Sequence, residues 1–162
     1  MKRYDRDTLR QLRSGALPFE RIHAMQSDHK DPGRFREMLA LAQESVPWDD
    51  RILIPYAEHL YVVEKADGRR LVKCHCGHEF CEVTRNWKLE ALVRVRDTPE
   101  SLHELYPAMS ACNPEWMNLR EYICPGCATL LEVEAVPPGY PVVFDFQPDI
   151  DGFTRDWLGE DG

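Results

Sequence analysis

In the first third of the chain, apolar residues recur at helical spacing. In RDTLRQLRSG (6–15) Leu9 and Leu12 share one face and Gly15 marks a stop; PFERIHAMQS (18–27) repeats the pattern more weakly. DPGRFREMLALAQES (31–45) carries it most clearly. Phe35, Met38, Leu39 and Ala42 form a stripe, Asp31 is placed to cap the helix and Pro32 suits its first turn. Packing is the ordinary use of such a stripe, although the charged opposite faces also suit contact with a partner chain.

From residue 46 the period changes to that of strands. HLYVVEK (59–65) and RRLVKC (69–74) flank Asp67-Gly68, a strong hairpin signal, so the second strand delivers Cys74 directly from a hairpin. WKLEALVRV (87–95) reads as a further strand whose first half also suits a helix. DTPESLHELYPAM (97–109) reads as a helix with Thr98 as cap and Pro99 at its first position. EYICPGCATLLEVEAV (121–136) supplies two strands joined by a cysteine pair. The end, PPGYPVVFDFQPDIDGFTRDWLG (137–159), predicts a proline-rich turn, a short strand and a final helix. The expected architecture is α+β: a helical N-terminal arm (1–46), a central zinc-ribbon-like antiparallel β domain (47–136) and an extended C-terminal tail (137–162).

Composition narrows the function. With 28 acidic against 20 basic side chains the formal charge is −8, which opposes binding to phosphate backbones and so argues against nucleic acid as a partner. No apolar run is long enough to span a membrane, and MKRYDRDTLRQLRSG lacks the apolar centre of a secretion signal. A cytoplasmic location is the expectation, and there clustered cysteines bind metal more often than they pair as disulfides.

Five of the six cysteines fall in VKCHCGHEFC (72–81) and YICPGC (122–127). Four thiolates from two separated loops can close a tetrahedron around zinc. The preferred set is Cys74, Cys76, Cys124 and Cys127, with Gly77 and Gly126 giving the backbone freedom to turn amides toward sulfur. Cys81 and His78 are the alternates in the first window. Cys112, alone in SACNPEW, reads as a small buried side chain. A thioredoxin-like redox pair at CPGC leaves the first cluster unexplained, and a catalytic zinc needs an open coordination position that four thiolates do not leave.

Other motifs carry less. The acids of PWDD (47–50) read as a loop cap rather than a catalytic pair. His23, His29, His59 and His103 are scattered without partners at ligand spacing, and neither a phosphate-binding glycine loop nor a serine nucleophile motif occurs. The sequence therefore assigns no catalytic residue to this chain.

Taken in order, PWDD, CHCGHEFC, NWKLEALVRVRDTP, REYICPGCATLLEVEA and FQPDIDGFTRDWLG resemble the gamma subunit of acetone carboxylase, most clearly over 46–159. The same blocks are similar to small subunits of related ketone carboxylases, including that for acetophenone. The resemblance implies a place in a complex that carboxylates a ketone with bicarbonate at the expense of ATP, through phosphorylated intermediates, to a β-keto acid such as acetoacetate. It implies two larger partner subunits, hydantoinase- or oxoprolinase-like, which carry ATP and manganese or magnesium, in a hetero-oligomer with two copies of each chain. It also implies zinc on this chain. The C-x-C-G-H and C-P-x-C elements fall on Cys74, Cys76, Cys124 and Cys127, and distant relatives dispense with the cysteine at 81. Ala128 departs from the pattern, which has glycine commonly at that place. Three roles follow as expectations: a structural zinc subunit, a catalytic or CO2-gating zinc subunit, or a zinc-ribbon adaptor.

Overall fold

The computed structural model describes residues 3–29, 31 and 33–159. Its N-terminal part is three helices, α1 (Arg6–Arg13), α2 (Phe19–Ser27) and α3 (Arg34–Glu44). Asp5 caps α1 by accepting the Thr8 amide at 2.8 Å. Gly15 follows the helix at φ 73°, the left-handed turn that its Ser-Gly ending leads one to expect. The start of α3 differs from expectation. Its N-cap is Gly33, with no side-chain cap, because the Asp31 carboxylate accepts the amides of Gly33 (2.9 Å) and Tyr4 (3.1 Å) instead. Asp31 thus ties the entry to α1 to the entry to α3. Pro32, expected in the first turn, lies outside the described residues.

α3 uses two apolar faces. Leu41, absent from the predicted stripe, packs with Leu9, Leu17 and Met25, with Met38 beside them, and this gathers the three helices. Ala42 and Leu39 turn toward Ile52, Tyr61, Val63 and Leu71 of a sheet. A helix sandwiched between layers needs apolar residues on both sides, so a single-stripe reading undercounts it.

That sheet is antiparallel with the order β1 (Arg51–Ala57), β2 (Leu60–Glu64), β3 (Arg70–Cys74), β4 (Glu79–Glu82). The β2–β3 hairpin turns at Asp67-Gly68, with Gly68 at φ 84°, and its register pairs Glu64 with Arg70 and Leu60 with Cys74. The second sheet has the order β5 (Leu92–Arg96), β6 (Asn118–Ile123), β7 (Leu130–Val136), and the second cysteine pair lies in the β6–β7 turn. Segment 87–95 is split. Trp87–Glu90 form one turn of 3-10 helix, capped by Asn86, which drives Trp87 into the core at 1% exposure before β5 begins. α4 (Pro99–His103) starts at Thr98 with the capping box completed by Ser101.

The short strand expected near the C-terminus does not form. Residues 137–149 run without regular structure, and side chains replace the missing ladder: Arg120 donates to the carbonyls of Tyr140 and Pro141, and the Tyr56 hydroxyl to that of Phe146. α5 (Ile150–Leu158) does form, capped by Asp149 and tied back by an Arg70–Asp151 ion pair at 2.7 Å. The two sheets meet in one apolar cluster. Leu60, Val72, Cys74 and Cys81 come from the first, and Trp87, Tyr122 and Cys124 from the second side. Among the described residues no helix is long and apolar enough to cross a membrane.

Candidate metal centre

Two tight loops carry the sulfurs. Cys74 ends β3, and the chain folds back at once: the Cys74 amide donates to the His78 carbonyl and the Gly77 amide to that of Cys74, both at 2.9 Å. Gly77 sits at φ 102°, a conformation side chains rarely adopt. After β6 the second loop closes by the Cys124 amide donating to the Thr129 carbonyl and the Ala128 amide to that of Cys124, again at 2.9 Å. Here the Gly126 amide also donates to Cys124 Sγ at 3.4 Å, the contact that a thiolate needs. The loops are interlocked, since a Cβ on Gly126 would come 2.9 Å from His78 Cβ.

This brings four sulfurs together. Cys74 Sγ lies 3.8 Å from Cys127 Sγ, and Cys76 Sγ lies 3.8 Å from Cys124 Sγ; all four are within 4.8 Å of one another. A disulfide needs a separation of about 2.05 Å, and all six cysteines are free thiols. A tetrahedron with arms of about 2.3 Å, the zinc–sulfur bond length, has edges of about 3.8 Å. The donor set therefore fits a metal ion such as zinc. Burial pushes the Cys74 and Cys124 thiols up, whereas its hydrogen bond with Thr129 brings the exposed Cys127 down to about 7. A cation among them would favour the thiolate in all four.

The alternates lie elsewhere. Among the described residues, neither Cys81 nor His78 joins the sulfur group. Cys81 is buried in the core, with its thiol donating to the Arg85 carbonyl at 3.4 Å and its pKa raised by burial. His78 packs edge-on against Phe80, with ring centroids 4.8 Å apart. Cys112, expected to be buried, is half-buried and donates to the Met117 carbonyl. Trp116 and Trp157 stand exposed, at 77% and 82%.

Sequence reasoning missed the support of the first loop. Trp48 Nε1 donates to the His75 carbonyl at 3.1 Å, and its ring would meet a Cβ on Gly77 at 3.3 Å. Lys73 lies over that ring, 4.8 Å from its centroid, and reaches Asp50 at 2.5 Å; Asp50 also takes Lys65. The PWDD loop thus braces the cysteine loop from outside, a role signalled only by its tryptophan. Also missed were the His59–His75 ring contact at 4.9 Å and the set of Glu132, Glu134 and Asp145 around Lys88. The latter three carboxylates already hold a cation, the Lys88 ammonium, at 2.6–3.1 Å.

Residues 46–158 match the family model described as acetone carboxylase gamma subunit. The chain belongs to that family. It is 46% identical over 157 residues to the acetone carboxylase gamma subunit of Xanthobacter autotrophicus, covering 96% of this chain and 94% of that protein. It is also 33% identical over 84 residues to the acetophenone carboxylase beta subunit of Aromatoleum aromaticum, covering 48% of this chain and 63% of the relative. All four clustered cysteines lie within the span of the acetone carboxylase gamma subunit model, as do Trp48 and Lys88.

Proposed function

We propose that this chain is a non-catalytic, zinc-binding assembly subunit of an ATP-dependent ketone carboxylase, with Cys74, Cys76, Cys124 and Cys127 as the zinc ligands. One observation carries the reading: four sulfurs at tetrahedral spacing sit where the two sheets join, with two contributed from each side. A closed four-thiolate site leaves no position for water or substrate, so its metal supplies folding energy rather than chemistry. The reaction is the conversion of acetone or a related ketone, with bicarbonate, to a β-keto acid such as acetoacetate. ATP and manganese or magnesium belong to two larger subunits in a cytoplasmic hetero-oligomer with two copies of each chain. Residues 47–136 are the zinc-binding unit, with 1–46 and 137–162 supplying contact surface; the exposed Trp157 of the tail and Trp116 of the central unit are the aromatic anchors.

Purification of the native complex, with subunit mass spectrometry and a metal count, tests the partners. X-ray absorption at the zinc edge is expected to show four sulfurs; a nitrogen or oxygen neighbour would point to a reactive site. Chelation is expected to release zinc together with the far-ultraviolet circular dichroism of the joined sheets and the ability to assemble. Removal of zinc with fold and assembly unchanged would end the structural reading.

A further inference from the structure

We propose that the cavity between the C-terminal ends of α1 and α3 and the β1–β2 turn binds a small monocarboxylate. The open N–H groups of Arg13 and the unspent hydroxyl proton of Tyr61 would hold it. The cavity measures about 450 Å³, inside the usual range of roughly 300–1,000 Å³ for ligand sites. Its recognition groups are not used by the sulfur cluster, and the inference does not depend on the carboxylase reading.

Arg13 is the first observation. Its Nη2 donates to Tyr61 Oη and to Ser45 Oγ, both at 2.9 Å, and both acceptors are neutral. Among the described residues it meets no carboxylate. In this acidic chain Arg6, Arg10, Arg69, Arg70 and Arg96 each pair with one. A guanidinium facing a cavity with Nη1 and Nε open presents the planar fork that matches a carboxylate.

Tyr61 is the second, independent observation. It is 2% exposed, its oxygen is taken by Arg13, and its own proton has no acceptor among the described residues. Buried hydroxyl donors are as a rule paired. The Ser45 proton, in contrast, goes to the Ala42 carbonyl at 2.7 Å. A carboxylate in the cavity would take the Arg13 fork with one edge and the Tyr61 proton with a remaining lone pair.

The walls set the class of ligand. Met38, Ala42 and Pro55 offer an apolar surface to a short hydrocarbon chain, which an inorganic anion lacks. Glu58, exposed and the one acidic side chain in the lining, repels a second negative charge and so disfavours phosphates and dicarboxylates.

The test uses the full zinc-loaded chain, titrated with propionate, acetate and inorganic phosphate while amide resonances are followed by NMR. Propionate is expected to shift the amides of Ser45, Ala57 and His59 saturably in the millimolar range, acetate more weakly and phosphate not at all. Arg13→Gln should weaken propionate by roughly tenfold. Tyr61→Phe, which keeps the ring in the core, should weaken it by roughly fivefold. Shifts that never saturate, an equal response to phosphate, or undiminished affinity in either folded variant would overturn the proposal.

Discussion

Ala128 is the point where a single residue departs from what its backbone asks for. It lies at φ 57°, and among the described residues it is the sole non-glycine with positive φ. An L side chain in that region costs roughly 1–2 kcal/mol, so the strain sits in the turn that presents Cys127. Ala128→Gly is expected to stabilise the folded chain by about 1 kcal/mol, read as a raised urea midpoint. A lower midpoint would mean that the methyl group contributes packing worth more than the strain. The sulfur cluster itself was legible at this scale, because C-x-C-G and C-P-x-C spacings are local. Cys76 is preferred to Cys81 on the glycine that follows it, whereas the distance of Cys81 from the other sulfurs is set less locally. Cys81 is withdrawn from the sulfurs by the pairing of β4 with β3, where Lys73 faces Glu79 and Leu71 faces Glu82.

At the scale of elements, one tie that holds the C-terminal segment is electrostatic. Lys88 is wholly buried in the 3-10 turn, and Glu132, Glu134 and Asp145 close on it from β7 and from the tail. Burial alone would lower its pKa; the three carboxylates overcome that and leave it raised. Lys88→Met removes the one ammonium and leaves its partners facing one another, at an expected cost of about 3 kcal/mol. Denaturant melts should show this loss, and adding Glu134→Gln should restore part of it; additive losses would mean that the charges do not interact. None of this was readable in advance, since Lys88 is 46 and 57 positions from Glu134 and Asp145. PVVFDF has strand propensity, yet no strand forms there, and the tail hangs from side chains of Arg120 and Tyr56 rather than from a ladder. The Asp67-Gly68 hairpin and the Thr98 cap were legible because each is decided within a few residues.

For the molecule as a whole, stability rests on a seam between two small sheets, and that seam has a predictable response to acid. The hydrogen bond from Lys73 lowers the pKa of Asp50, and that from Lys65 lowers Glu79. Carboxylates depressed in the folded state stabilise it above their ordinary values. That contribution is lost as pH falls through the lowered ones, beginning near pH 4. The brace under the first cysteine loop is therefore expected to fail on acidification. Trp48 fluorescence should report it at a higher pH in Asp50→Asn, which lacks the depressed carboxylate; an unchanged transition would remove Asp50 from the account. Burial in the cluster is also uneven: Cys74 and Cys124 are fully enclosed, whereas Cys127 stands in solvent. The cage consequently has a door. An alkylating reagent such as iodoacetamide should mark that corner first, and under the zinc reading proposed above a competing soft ion such as cadmium should enter there.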